Sequence, residues 1–197
     1  MPETVLAFPQ PLVVPRQIRS TIILGSIESI REAGHYERYI AALAPDARET
    51  ILSSVVGMWL PIAVGHAHYA ACDALGLSTE AEVQLGRGTF GRTKGLLLGT
   101  ALRLATGAGV TPWTVFPLFQ RFWFRAYDGG GIRVVRLGPK EADTDLVSFP
   151  LVQSRYYRHA VRGLLGAVVE LFCTKAYVKE RSGGDPATSL TYRVQWV

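Results

Sequence analysis

Apolar positions in the C-terminal third change period twice. Residues 131–138 (GIRVVRLG) alternate polar and apolar, and a short run, DLVSF, follows at 145–149 after a polar connector. Residues 154–172 then carry Tyr157, Ala160, Val161, Leu164, Leu165, Val168 and Phe172 at spacings of three and four. Alternation returns at 173–180 and at 189–196, across the turn sequence RSGGDP at 181–186. A period of two marks a strand with one buried face; a period near 3.6 marks a helix with one apolar stripe. The order predicts β-β-α-β-β: a four-stranded antiparallel sheet covered on one face by one helix. Ser154 stands where an N-cap belongs, and Pro150 keeps the helix from starting earlier. Tyr157, Val161, Leu164, Leu165 and Val168 are expected to be buried against the sheet.

Before residue 129 the pattern is helical and often interrupted. Residues 1–16, with Pro2, Pro9, Pro11 and Pro15, read as an extended or disordered arm. Residues 17–24 are ambiguous: RSTIIL at 19–24 has strand composition, whereas SIESIR at 26–31 reads as helix. Short helices are expected at 36–43 and 47–54, and Pro61 opens another that runs to about residue 74. Ser78 caps the next, with Glu80 and Glu82 in its first turn. Gly86, Gly88, Gly91, Gly95 and Gly99 then follow closely, which suggests tight helix crossing, a bend or a hinge, and Gly107 and Gly109 close that region. Thr111 and Pro112 begin an aromatic helix at 113–127, with Pro117 placed to kink it or delay its start. The sequence DGGG at 128–131 forms the seam. The expected fold class is α+β, one domain over 17–197 with a helical part (17–128) and a β-β-α-β-β part (129–197).

Charge and composition exclude several classes. The net charge of +5 comes from scattered arginines and lysines without a basic block, so no nucleic-acid partner is expected. Cys72 and Cys173 are distant from each other and read as reduced core residues. The first ten residues lack the basic-then-apolar pattern of a secretory signal, which points to the cytoplasm. Residues 52–72 carry no Asp, Glu, Lys or Arg and are long enough to cross a bilayer. Pro61, His66 and His68 within them favour a buried helix of a globular core over a membrane span.

No catalytic constellation is legible. There is no Gly-x-Ser-x-Gly, and RGTFGRTKG at 87–95 has the wrong spacing for a phosphate loop, with no strand before it. His66 and His68 are two apart, so on a helix they point about 200° apart and cannot share a metal ion. A non-enzyme without cofactor or metal is expected. The feature with binding potential is the aromatic segment. Trp113, Phe116, Trp123 and Tyr127, facing Phe149 and Tyr157, are placed to line a cavity for a small apolar molecule. Trp59 and His68 complete the candidate ligand-binding set. The plain alternative is a filled hydrophobic core, in a scaffold that uses an exposed sheet edge or aromatic surface for homodimer or partner binding.

A helical half followed by β-β-α-β-β resembles the ligand-binding fold shared by heme-nitric-oxide-binding domains, 4-vinyl-reductase-type domains and TRAPP-type vesicle-tethering subunits. More narrowly, GSIESIR at 25–31, SFPLV at 148–152, YRHAVRGLL at 157–165 and the ending YRVQW at 192–196 resemble a paralogous family of uncharacterised myxobacterial proteins of about this size. The likeness covers most of 17–197. It implies a sensor or signalling module with a pocket between helices and sheet. The heme-binding relatives hold the propionates with Tyr-x-Ser-x-Arg; the nearest sequence here is YVKER at 177–181, with lysine in place of serine. A heme-based gas sensor is therefore the second alternative, and its absence is the expectation.

Overall fold

In the computed structural model, which describes residues 2–104, 110–181 and 184–197 (94–104 by backbone alone), the helices come first. A strand β1 (Glu3–Leu6) precedes β2 (Gln17–Arg19), α1 (Ser20–Glu32), α2 (Tyr36–Ala42), α3 (Pro45–Ser53) and β3 (Trp59–Pro61). Then come α4 (Ile62–Asp73), α5 (Thr79–Leu104), α6 (Pro112–Val115), a 3-10 turn at Phe116–Leu118, and α7 (Phe119–Ala126). The last part is β4 (Gly131–Gly138), β5 (Glu141–Val147), a 3-10 turn at Pro150–Gln153, α8 (Arg155–Val169), β6 (Ala176–Arg181) and β7 (Leu190–Trp196). The fold is α+β with the expected β-β-α-β-β ending.

Among the described residues the main sheet has five antiparallel strands, in the order β1-β4-β5-β7-β6, one more than the pattern of apolar residues gave. The extra strand is the proline-rich arm. Thr4 pairs with Val135, so β1 covers what would otherwise be an open edge of β4. The arm is pinned further along: Gly130 N donates to the Val13 carbonyl at 2.6 Å. β5 also starts earlier than expected, at Glu141. Its charged residues hide the alternation, because Ala142 and Thr144 face the core while Glu141 and Asp143 reach across to Arg193 at 2.6 and 2.5 Å.

α8 is sandwiched between α5 and the sheet. The Ser154 hydroxyl accepts from Tyr157 N at 3.0 Å, which is the expected cap. Tyr157, Leu165 and Val168 are buried as expected, whereas Val161 and Leu164 are half-buried. On the opposite side α8 presents Gly163 to α5, and α5 presents Gly86 to α8. A Cβ on Gly86 would lie 2.0 Å from the Ala160 carbonyl oxygen, and one on Gly163 would lie 2.0 Å from that of Val83. Two helix backbones can approach this closely only where neither residue has a side chain. Gly91, by contrast, faces open space. The expectation for Gly95 and Gly99 falls where only the backbone is described, and that for Gly107 and Gly109 lies outside the described residues.

Three helical expectations changed. Residues 52–72 are not one helix: α3 ends at Ser53, β3 pairs with β2, and only α4 is helical. Pro61 is extended (φ −53°, ψ 141°), which stops any helix crossing it. The segment 20–24 is helical despite its β-branched composition, because Ile22, Ile23, Ile27 and Ile30 bury one helical stripe. The aromatic segment is broken at Pro117 into α6, a 3-10 turn and α7. No described helix is long and apolar enough to cross a membrane.

Candidate functional site

α7 lies over β4, and α8 lies over β6 and β7, on the same face of the sheet. Between them, under α5, the core leaves an apolar cavity of about 140 Å³. Val161, Leu164, Leu165 and Val168 of α8 form one wall; Phe119, Phe122, Trp123 and Ala126 of α7 form another. Gly86, Thr89 and Phe90 of α5 close the top, while Ile132, Thr144, Leu146 and Tyr192 are the floor provided by the sheet. Among the described residues no charged side chain lines it.

The cavity gathers three of the sequence-predicted site residues and leaves five aside. Trp123, Tyr127 and Tyr157 line it. Phe149 does not; it is fully buried behind them, with ring centroids 4.7 Å from Trp123, 4.6 Å from Tyr127 and 5.4 Å from Tyr157, and so supports the wall. Trp113 and Phe116 are corrected outright. Pro117 turns them away, and they pack on Trp196 at 4.9 and 5.7 Å. Trp113 Nε1 donates to the Pro139 carbonyl at 2.6 Å, fixing α6 across the β4–β5 turn. Trp59 is also corrected: it sits in the small β2–β3 sheet, with the Arg19 guanidinium 3.9 Å above its ring.

His68 is a core residue. It is 0% exposed, with Nδ1 2.7 Å from the Tyr39 hydroxyl and Nε2 3.8 Å from Cys72 Sγ. Burial pushes its pKa down to about 3, so it is neutral at ordinary pH. The same burial raises the Cys72 thiol well above its usual range. The next residue, Tyr69, reaches the cavity instead.

The lining is rich in tyrosine. Burial holds Tyr69 and Tyr157 well above the usual phenol range and pushes Tyr127 up to about 12, with the Tyr157 and Tyr69 phenols pulling it back. All stay protonated. Tyr156 shares a hydrogen bond with Ser26 at 3.3 Å, and Tyr192 donates to the Arg158 carbonyl at 2.6 Å. Two lining hydroxyls, Tyr157 Oη and Thr144 Oγ1, have no partner. Tyr127 lies close enough to Tyr157 for each phenol to affect the other's titration.

Sequence reasoning missed Tyr69, Thr144, Leu146 and Tyr192. Thr144 stands between Asp143 and Asp145, so the sequence shows no apolar alternation there. The spacing of the α8 residues marks a buried stripe and carries no sign that part of it faces a cavity. Among the described residues no group of three or more His, Cys, Asp or Glu could hold a metal ion.

No protein-family profile matches the chain, and no curated protein matches it in sequence. Solved structures do match. The Fe(II) unliganded H-NOX protein from K. algicida aligns at 9% identity and TM-score 0.66, over 91% of this chain and 97% of that one. An oxygen-binding H-NOX domain related to soluble guanylate cyclases aligns at 13% and 0.58, over 91% and 95%. A structure probing heme distortion in the H-NOX family aligns at 12% and 0.57, over 91% and 95%. The fold is that of H-NOX domains. Identity this low carries the H-NOX architecture to this chain and nothing about its chemistry.

Proposed function

We propose that this chain is a non-catalytic sensor module of H-NOX fold, in which a small apolar molecule occupies the cavity between α5, α7, α8 and the sheet. The observation that carries this is the cavity itself, about 140 Å³ with an apolar lining. Interiors are close-packed, and at roughly 24 cal/mol per Å³ an empty cavity of this size costs about 3 kcal/mol. A guest recovers that loss. Engineered cavities of about 150 Å³ lined by aliphatic and aromatic groups bind benzene or xenon, so the size is adequate for a guest of that class.

The solved neighbours favour a second reading, a heme-based gas sensor, since H-NOX structures with iron, oxygen and heme are among them. The residues present do not fit a porphyrin. The cavity lies well below the 300–1,000 Å³ typical of sites for larger organic ligands. None of the four histidines lines it, nor does either cysteine. His68 has both ring nitrogens engaged within the core. The lining phenols are held in the protonated form, which is the wrong form for an iron ligand.

Two measurements test the proposal. Native mass spectrometry of freshly purified protein, set against its denatured mass, reads any bound guest, and benzene should raise the melting midpoint. No guest and no response to benzene would overturn it. Expression with a heme precursor should yield no Soret band; a band lost on His68→Ala would establish the gas-sensor reading in its place.

A further inference from the structure

The turn between α3 and β3 carries its polar and apolar groups the wrong way round for a surface loop. Val55 and Val56 are 65% and 62% exposed, the two most exposed large apolar side chains among the described residues. Leu52 and Met58 beside them are 54% and 42% exposed. Gly57 at the tip has φ +91°, and a Cβ there would meet nothing within 4 Å, so the turn projects into open space. The polar groups point inward instead. The Val55 carbonyl accepts from the Ser20 hydroxyl at 2.7 Å, and Met58 N donates to the same oxygen at 3.0 Å. Ser20 N donates to the Met58 carbonyl at 2.9 Å, and Arg19 Nη1 donates to that of Gly57 at 2.5 Å. Ser54 Oγ donates to the Ile51 carbonyl at 2.8 Å. Backbone groups satisfied from within do not depend on water, which is the condition for entering an apolar medium.

We infer that this turn docks the protein on a phospholipid surface, with Val55, Val56 and Met58 at the acyl boundary and Arg19 among the headgroups. The size of the patch favours lipid over a protein partner. Four partly exposed side chains offer roughly a few hundred Å², short of the about 800 Å² that each partner gives to a stable protein interface. Its shape is a tip rather than a face. Its base joins a tryptophan to an arginine: the Arg19 guanidinium lies 3.9 Å above the Trp59 ring, and such amphipathic side chains suit the zone between headgroups and hydrocarbon. Charge agrees, since residues 52–72 hold no Asp or Glu to repel lipid phosphates and the chain carries +5. Glu49, exposed one turn before Leu52 on α3, resists burial and limits the depth to the interface. None of these residues lines the cavity, so the docking turn stands independently of the sensor reading.

Co-sedimentation of the full chain with vesicles of phosphatidylcholine and phosphatidylserine tests this. The protein should pellet with the vesicles and stay bound in high salt, which screens charge but not apolar insertion. Val56→Trp should tighten binding, an effect that no folding defect produces. Val55→Asp combined with Val56→Asp should weaken binding about tenfold, 1.4 kcal/mol, with an unchanged melting midpoint. Tyr177→Asp, at a similarly exposed position on β6, should bind as the parent chain does. Failure to bind, binding lost in high salt, or full binding by the double variant overturns the inference. A chain that ignores vesicles but self-associates, and that the double variant makes monomeric, places a protein interface at this turn and overturns it likewise.

Discussion

Gly86 of α5 and Gly163 of α8 lie where each helix meets the other's backbone, with carbonyl oxygens 2.0 Å from the Cβ that either would gain. This crossing sets the height of α5 above the sheet, and so the roof of the cavity. Neither contact is with a flexible side chain, so a methyl group forces the helices apart. Gly163→Ala should cost about 1–3 kcal/mol or more in denaturant unfolding. Gly91→Ala, in the same helix but facing open space, should stabilise by about 0.5–1 kcal/mol. Equal effects at the two positions would contradict the crossing.

The same helix pair is tied by a buried carboxylate. Glu82 is 0% exposed, with Oε1 2.6 Å from Arg155 Nη2 and Oε2 2.5 Å from His159 Nδ1. Removing one partner strands charge in the core. Arg155→Ala should destabilise by about 1–3 kcal/mol, less than for an unpaired buried ion because His159 remains. Arg31→Ala removes exposed contacts, an ion pair with Glu28 and stacking on Tyr36, and should shift unfolding by less than about 1 kcal/mol. A silent Arg155→Ala would show that the pair contributes nothing net.

His68 predicts a dependence on acid. Its pKa is depressed from 6.5 to about 3 in the folded chain, so above pH 6.5 neither state binds the proton and its contribution is fully present. Below that, the unfolded chain takes up a proton that the folded chain refuses, and stability falls down to about pH 3. The slope approaches 1.4 kcal/mol per pH unit. Between pH 6.5 and 4.5 the carboxylates with lowered values, Glu32 and Glu170, are not yet involved. The partly buried His66, also lowered, adds a smaller share. Urea midpoints measured across that window should fall, and His68→Gln should flatten the curve.

Much of this architecture was legible in the sequence because each C-terminal element carries its own period. The stripe from Tyr157 to Val168 and the Ser154 cap specify α8 with no outside help. Strand β1 was not legible: its residues become a strand only because β4 offers an unpaired edge, a tertiary fact. β5 was half-hidden because its outward charges are satisfied by Arg193, two strands' worth of sequence away. For the site, periodicity separates buried from exposed positions but not filled from empty ones. Trp113 and Trp123 look equivalent along the chain. Pro117 between them sends one to Trp196 and the other to the cavity.

Filling the void gives the most direct check on its role. Val161 is half-buried on α8 and lines the cavity, so a larger side chain there can extend into empty volume rather than into packed neighbours. In a filled core, Val161→Phe would overpack and cost about 1–3 kcal/mol. Into a 140 Å³ void the added ring carbons gain dispersion contacts and remove cavity surface, so stability should hold or rise by about 0.5–2 kcal/mol. The same substitution takes the guest's place and should abolish the rise in melting midpoint caused by benzene. The two readouts must move in opposite directions, with unchanged or higher ligand-free stability and lost response to the probe. A destabilised variant that still binds benzene would mean that the guest sits elsewhere and that this part of α8 is ordinary core.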